Sequence, residues 1–277
     1  MKFPPIIIIA KKEFKDSITN RWFLVLSALF FLLVLQIPYL SLVLLGLFPY
    51  SNIPGKIGTF LSVATSLGAL ITISIGALSV SAEKEQRTIA YLLSQPIRRI
   101  DVLIGKYIGL FLTISVIMVV GVGLALLPSF GSTNVAEVGL HDFFYGVMIL
   151  VGMSAVMLAV SFAISVISAS RAMAISIALF IWLFMTVIYD IGLLGVTFIA
   201  SGESQSFLYF ILFNPIETTR IIAFILIRPE FSPSVSEQFM IRYFGFNGSL
   251  VPLTISMGAW FAAAMVFSTI EFYLRDN

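Results

Sequence analysis

The sequence predicts an all-α polytopic membrane protein with six transmembrane helices, and three observations lead to this fold class. Hydrophobic residues make up 59% of the chain and charged residues only 11%, against about 25% charged residues in soluble domains. Apolar runs long enough to cross a bilayer recur along the chain. The charged residues are concentrated between those runs, where they can reach water.

The composition also excludes several classes of protein and site. A formal net charge of +2 is too small to indicate a nucleic-acid binder. The absence of cysteine excludes disulfides, thiolate metal sites and thiol nucleophiles. Charged residues at 11–16 interrupt the first apolar run, so the N-terminus is not typical of a cleaved signal peptide.

The first predicted element is a helix over residues 6–21 that lies in the membrane interface. An apolar stripe recurs at helical spacing, and basic residues occupy the rest of the helix surface. The stripe consists of Ile7, Ala10, Phe14, Ile18 and Trp22. We expect this stripe to enter the acyl boundary while the basic face meets anionic headgroups; the alternative is a polar tail.

The remaining apolar runs predict six spans, because a hydrocarbon core of about 30 Å needs about 20 helical residues. The spans cover residues 22–48, 59–82, 102–127, 143–167, 172–200 and 250–273. With a cytoplasmic N-terminus, the inside segments hold twelve of the sixteen Lys and Arg residues and the outside segments four. We therefore expect a multi-pass plasma-membrane protein with both termini in the cytoplasm.

Residues 201–249 form the longest loop and are predicted to be a small helical subdomain on the outer face. Its apolar runs are too short to span, so they should dip into the outer leaflet or pack over it. Asn214, Pro215 and Glu217 predict a helix start, with Asn as the cap, Pro at the first position and Glu returning a bond to the cap. That helix should end near Arg228, before Pro229.

The loop at 83–106 carries the densest charge of the chain. On a helix, Glu83 and Arg87 would face each other, and Pro96 would end that helix. One interpretation is a pair of short helices over 83–101 that inserts into a groove of a cytoplasmic partner. The other is an ordinary cytoplasmic loop whose Lys and Arg side chains snorkel to water. The residues alone leave both open.

Asp190 is the most deeply placed ionisable residue of the predicted spans. An ionised carboxylate there needs a partner, a cavity or the outer interface, and Thr186 lies one turn earlier. The functional hypothesis is an outer gate or substrate path at Asp190 and Thr186. The alternative, a hydrogen bond between packed helices, is the more common use of such a residue.

Small residues form two patterns at helical period, for which close helix packing is the more common explanation. The first pattern, in the second span, could instead line a conduit. Its members are Gly58, Ser62, Ser66, Ala69, Thr72, Gly76, Ser79 and Glu83. The second pattern is a GxxxG at Gly105 and Gly109. His141, the single histidine, has no second His or Cys nearby, so a metal site is not expected.

The loop at 83–106 resembles the cytoplasmic signature of ABC transporter permeases of the ABC-2 (type-2 exporter) family, E-x-E-x-G-T followed by L-L, P, R and G-K. The matching residues are Glu83, Glu85, Thr88, Leu92, Leu93, Pro96, Arg99, Gly105 and Lys106. The usual Gly before the Thr is Arg87 here. The resemblance covers nearly the whole chain, because the start at 10–22 looks like the family's interfacial helix. Asn214, Pro215, Glu217 and Arg220 look like the outer-loop pattern of its NosY-like branch.

The resemblance implies a single domain over 1–277 that forms one half of a dimeric transmembrane unit, either a homodimer or a pair with a similar permease. Two copies of a separate ABC ATP-binding subunit would bind ATP and Mg, while this chain would hold no cofactor and catalyse no reaction. The signature residues would couple that ATPase to the membrane unit. They are Glu83, Glu85, Arg87, Thr88, Leu92, Pro96, Arg99 and Lys106. A phosphate-binding loop has the pattern G-x-x-x-x-G-K-[ST]. It is not expected at Gly105 and Lys106, because Ile100 stands at the position of the first Gly and Tyr107 at that of the Ser or Thr.

Two functions follow from this resemblance, with a third from a different class. The first is ATP-driven export of a substrate that the sequence leaves open, from lipids and drugs to peptides, sodium and maturation cargo. The second is a NosY-like mechanical transducer that acts on an extracytoplasmic partner protein during metalloenzyme maturation. The third, a carrier driven by an ion gradient, would require more buried ionisable residues and paired broken helices.

Overall fold

The computed structural model describes residues 4–44, 53–88, 98–126, 140–199, 206–227 and 234–274. Within these ranges the chain forms eleven α-helices and one π-helical turn, without strands. The helices are α1 (Pro5–Thr19), α2 (Arg21–Leu44), α3 (Ile53–Glu85), α4 (Arg99–Leu126), α5 (Leu140–Ile167), α6 (Arg171–Leu183), α7 (Tyr189–Ile199), α8 (Ser206–Phe213), α9 (Pro215–Ile227), α10 (Val235–Phe244) and α11 (Leu250–Leu274). The π-helical turn (Phe184–Ile188) joins α6 to α7 without a break. The all-α fold class is confirmed.

Five helical segments in the described residues are long and apolar enough to cross a membrane. They are Leu61–Glu85, Arg99–Leu124, Phe144–Ile167, Arg171–Leu193 and Leu250–Leu274. Two further pairs of helices, α1 with α2 and α8 with α9, pass the same test as bent units, which allows up to seven spans. The chain is therefore an integral membrane protein, and the count of six spans stays a prediction.

Helix α5 occupies the centre of the bundle, where it packs against α3, α4, α6, α9 and α11. Its inward side chains, including Met153, Met157 and Phe162, are fully buried. Two-thirds of the span in α3 is also buried, whereas only 11% of the span in α11 is covered by the rest of the chain. Helix α11 therefore lies at the periphery, with most of its surface open to lipid or to another subunit.

The small residues of α3 bring it close to α5 at Gly76. A Cβ atom at Gly76 would stand 1.8 Å from the Ser161 hydroxyl oxygen and 2.7 Å from a methyl group of Leu158. At Gly68 a Cβ would meet the side chains of Met118 and Met153. Close packing of helices, the first of the two explanations for this stripe, is confirmed at Gly76, while Gly68 lies outside the predicted stripe.

Helix α1 packs along α4 over the GxxxG of Gly105 and Gly109. A Cβ at Gly105 would come within 2.8 Å of the Ile9 Cβ, and one at Gly109 within 2.5 Å of the Ala10 carbonyl oxygen. The prediction that Ala10 points into lipid is therefore wrong, because α1 buries Ile9 and Ala10 against α4. Ile7 and Ile18, from the predicted stripe, remain exposed.

Helices α8 and α9 are bent by 99° at Asn214, the geometry of a broken span or of a re-entrant loop; we call them the re-entrant pair. Helix α9 begins at Pro215, as predicted, and ends at Ile227. It is buried along most of its length and packs on α5, α3 and α11. The short apolar runs of the loop after α7 therefore form part of the bundle.

Candidate coupling site and outer ion-pair cluster

Lys106 lies at the centre of a buried ionic cluster that joins three helices. Its ammonium group is 2.8 Å from a Glu13 carboxylate oxygen on α1 and 2.7 Å from one of Glu83 on α3. Its third hydrogen bond goes to the Ser79 carbonyl oxygen at 3.4 Å. Only 2% of Lys106 is exposed, and each of its three N–H donors has an acceptor, as a buried ammonium group requires. We call Glu13, Glu83 and Lys106 the buried triad.

The predicted contact between Glu83 and Arg87 is replaced by the bond to Lys106. Helix α3 ends at Glu85, so Arg87 lies beyond its last turn. Arg87 has a φ of 58°, in the left-handed region that favours glycine. That conformation explains why the family signature has Gly at this position. Arg87 and Thr88 are both exposed.

The next charges of the signature bind the turn between α5 and α6. The Lys84 ammonium donates to the carbonyl oxygen of Val166, in the last turn of α5. The Glu85 carboxylate accepts from the backbone N–H of Arg171 at 2.7 Å, at the first residue of α6. A cation at a helix C-terminus and an anion at an N-terminus are both favourable to the helix dipole. The end of α3 is thereby attached to α5 and α6.

Arg99 attaches the other side of the loop to α11. Its guanidinium donates to the carbonyl oxygens of Phe272 and Tyr273 at 3.4 and 3.3 Å, in the last turn of that helix. The charged groups at this end of the bundle therefore bind five helices besides α3, namely α1, α4, α5, α6 and α11. We call this set the charged collar; it comprises Glu13, Glu83, Lys84, Glu85, Arg99 and Lys106. The signature residues Leu92, Leu93 and Pro96 lie outside the described residues.

A second ionic cluster surrounds Arg220 on the re-entrant helix α9. One guanidinium nitrogen is 2.9 and 3.1 Å from the two carboxylate oxygens of Asp190 and 3.3 Å from Glu217. The other terminal nitrogen donates to the Ser66 hydroxyl of α3 at 2.7 Å. We call Ser66, Asp190, Glu217 and Arg220 the Arg220 cluster. It brings α3, α7 and α9 together, and it supplies Asp190 with a partner, one of the three settings expected for an ionised carboxylate in a span.

The π-helical turn before Asp190 is bound by Asn214. Its amide nitrogen donates to the Met185 carbonyl oxygen at 2.6 Å, and its amide oxygen caps α9 by accepting from the N–H of Ile216 at 2.9 Å. A π-helical turn widens the backbone and is often found at functional sites. Thr186 donates to the carbonyl oxygen of Trp182, so the structure does not bring it to Asp190 as a partner.

Two cap predictions for the outer loop have different outcomes. The cap at Asn214 is confirmed, but the return bond from Glu217 is wrong, since the Asn214 N–H donates to Ile211 and Glu217 binds Arg220. A complete capping box occurs at Ser234 and Glu237 instead, at the start of α10. The pKa of Glu237 is raised, because the effect of burial exceeds the opposing effect of the hydrogen bonds from Ser234. The S-x-x-E spacing could have identified this cap from the sequence.

Sequence analysis did not identify Glu13, Ser66 or Met185 as members of these clusters. Glu13 is an acidic residue on a basic helix, a weak signal that its partner lies on another element. Ser66 was noted only as part of a small-residue stripe, and a backbone carbonyl such as that of Met185 leaves no trace in a side-chain pattern. In the part of the chain that the structure describes, no group of three His, Cys, Asp or Glu residues is placed to hold a metal ion.

The fold and the charged collar define a helical integral membrane protein. Charged residues on both sides of the loop between α3 and α4 bind the ends of α5, α6 and α11. A family model described as "ABC-2 family transporter protein" matches residues 7–276, and the chain belongs to that family. It is 30% identical over 225 residues to "Probable ABC transporter permease protein NosY" of Pseudomonas aeruginosa, covering 79% of this chain and 81% of the relative. Similarity to the protein of the same name from Stutzerimonas stutzeri is 28% over 218 residues, or 77% of this chain and 79% of the relative.

Proposed function

We propose that this chain is the permease subunit of an ATP-driven exporter, with ATP hydrolysis confined to a separate subunit. Family membership supports partnership with an ABC ATP-binding subunit. The subunit would bind at the segment 83–100, on the cytoplasmic side. Two copies of each subunit would form the complete transporter.

The charged collar is the observation that carries this proposal. Glu85 binds the start of α6, Arg99 binds the end of α11, and Lys106 joins α1 to α3. A force applied to the segment between α3 and α4 would therefore move several helices together, because charge-assisted hydrogen bonds are the stronger class. Ion pairs in water contribute little, but the pairs of Lys106 with Glu13 and Glu83 are largely buried.

The collar also divides the signature residues by role. Arg87 and Thr88 are exposed and available for direct contact with the ATP-binding subunit. Lys106 is buried, and Arg99 binds backbone carbonyls within this chain, so both would act by positioning the segment. We therefore expect substitutions at Arg87 to weaken association and substitutions at Arg99 to weaken coupling.

The test is co-purification of the chain with its ATP-binding subunit, followed by measurement of substrate-stimulated ATP turnover. Arg87→Glu should reduce the amount of co-purified ATPase, and the matched control Arg87→Lys should not. Arg99→Gln should leave association intact while it lowers transport per ATP hydrolysed. Normal association and coupling in both Arg87→Glu and Arg99→Gln would overturn the proposed role of the segment.

The second candidate function is a NosY-like transducer whose ATP-driven movement acts on an extracytoplasmic protein. The similarity to the two permeases named NosY favours it. The re-entrant pair α8–α9 also supports it, because Arg220 of this helical unit binds Ser66 on α3, nineteen residues from Glu85 of the collar. Nucleotide-dependent binding of an outer-face protein to the purified complex, without solute movement into vesicles, would support this function over export. Solute movement without such a protein would support export.

A further inference from the structure

Helix α3 connects the charged collar to the Arg220 cluster without a break. It runs from Ile53 to Glu85, and Ser66 lies nineteen residues before Glu85, which corresponds to about 28 Å along the helix axis. That distance is close to the thickness of a hydrocarbon core, about 30 Å. The two ionic clusters therefore contact one helix at points about one bilayer thickness apart, the Arg220 cluster at Ser66 and the charged collar at its C-terminal end.

Ser66 is the point at which two other elements bind α3. The Trp182 indole N–H of α6 donates to the Ser66 carbonyl oxygen at 2.9 Å, and the Arg220 guanidinium of α9 donates to its hydroxyl at 2.7 Å. The Ser66 hydroxyl in turn donates to the carbonyl oxygen of Ser62. The bond to α6 uses the backbone and the bond to α9 uses the side chain, so substitution at Ser66 separates them.

Arg220 carries the connection onward to α7. Its other terminal nitrogen is shared by Asp190 and Glu217, and two carboxylates around one guanidinium hold it firmly in place. Its Nε atom is buried and has no hydrogen-bond partner among the described residues. The hydrogen bond from Nη2 to Ser66 joins the Arg220 side chain to α3. Removal of the Ser66 hydroxyl therefore breaks this connection.

The re-entrant pair is also attached to its other neighbours by hydrogen bonds. Asn214 binds the carbonyl of Met185 in the π-helical turn. Ser256 and Trp260 of α11 donate to the carbonyl oxygens of Leu212 and Phe213 at the end of α8. A displacement of the re-entrant pair would therefore shift the contacts that it makes with the π-helical turn before α7 and with α11.

We propose that Ser66 is a positioning residue through which movement of α3 is passed, by way of Arg220, to the π-helical turn, α7 and the re-entrant pair. This inference rests on the proposed function, because it takes ATP-driven movement at the collar as its source. The hydroxyl of Ser66 is the specific part of the connection. Its loss leaves the Trp182 bond and the packing of α3 on α5 in place.

The test uses two pairs of spin labels in the complex with the ATP-binding subunit, reconstituted in nanodiscs. This chain has no cysteine, so labels attach to it only at introduced cysteines, and the ATP-binding subunit is used in a cysteine-free form. Lys12 and Leu274, both exposed near the collar, report on that end; Ile191 on α7 and Tyr209 on α8, which are 64% and 77% exposed, report on the other. Distances are measured without nucleotide and after trapping with ATP and orthovanadate.

In the unsubstituted complex we expect nucleotide to change both distances. Ser66→Ala and Arg220→Lys should keep the change at the collar and reduce the change between 191 and 209 to less than half. Ser66→Thr keeps the hydroxyl and should behave like the unsubstituted chain. Thr72→Val is the matched control, because the Thr72 hydroxyl of the same helix is buried without a hydrogen-bond partner in the described structure.

An undiminished change between 191 and 209 in both Ser66→Ala and Arg220→Lys would overturn this inference. An equal loss at the collar would also overturn it, since Ser66 would then act on the whole fold. If nucleotide leaves the collar distance unchanged in the unsubstituted complex, the proposed function fails and the inference fails with it. The two failures are therefore distinguished by which label pair responds.

Discussion

At the scale of single residues, the backbone angle of Arg87 explains why the family signature has Gly at this position. Its φ of 58° places a side chain in a conformation that costs a non-glycine residue roughly 1–2 kcal/mol. The position follows the last turn of α3, where a left-handed residue commonly ends a helix. The family signature has Gly where this chain has Arg87, but only the backbone angle shows that an Arg at this position costs free energy.

We predict that Arg87→Gly raises the free energy of unfolding by about 1 kcal/mol, because glycine adopts this φ without steric cost. Denaturant titration in mixed micelles measures the change. Arg87→Ala is the control, since it removes the same charge but retains Cβ, and it should give no such gain. Equal stabilisation by both substitutions would attribute the effect to charge and contradict the prediction.

The buried triad gives a second prediction at this scale. Lys106→Met should destabilise the chain by about 3–5 kcal/mol, because it leaves the carboxylates of Glu13 and Glu83 without their cation in a largely buried site. The triple variant Glu13→Gln, Glu83→Gln, Lys106→Met should be less destabilised than Lys106→Met alone. Unfolding measurements on the two variants decide the point. A triple variant that is the less stable of the two would contradict this prediction.

At the scale of secondary-structure elements, the sequence predicted where helices occur better than it predicted which helices pack together. The start of α9 at Pro215 followed from local cap chemistry, which depends on neighbouring residues. The π-helical turn at 184–188 had no local signal, because its wider backbone is held by Asn214 from a different part of the chain. The amphipathic pattern of α1 identified a helix, but it could not separate the face that meets α4 from the face open to lipid.

The contact between α1 and α4 yields a prediction for this element pair. Gly109→Ala should displace α1 and lower the thermal unfolding midpoint, because the new Cβ would stand 2.5 Å from the Ala10 carbonyl oxygen. Gly152→Ala on α5 is the matched control, since a Cβ there meets no atom within 4 Å. That control should be neutral or slightly stabilising, given the higher helix propensity of alanine. Equal tolerance of both substitutions would contradict close packing at the GxxxG.

At the scale of the whole molecule, the distribution of Lys and Arg predicts an orientation that surface labelling can test. Arg98 and Asn247 are exposed at the two ends of the chain's described bundle. In intact cells an impermeant maleimide should label Asn247→Cys, and it should label Arg98→Cys only after permeabilisation. The cysteine-free sequence makes each reaction specific. Labelling of Arg98→Cys in intact cells would reverse the predicted topology.

The uneven burial of the spans leads to a prediction about assembly. Only 11% of the span in α11 and 28% of that in Arg171–Leu193 are covered by the chain itself, against 67% in α3 and α5. We expect part of these open faces to meet a second copy of this chain. Native mass measurement of the complex should therefore give two permease and two ATP-binding subunits. A single permease copy in an active complex would contradict this arrangement.

Apolar run length and charge placement are enough to establish an all-helical membrane protein, because the bilayer penalises every unpaired backbone group and every unpaired charge. The signature at 83–106 was identified by its resemblance to the ABC-2 family, since the residues alone left two interpretations open. The sequence could not show that Lys106 is buried with Glu13, or that Ser66 lies between Trp182 and Arg220. Those contacts join residues far apart in the chain, and they exist only once the helices have packed at one particular distance and rotation.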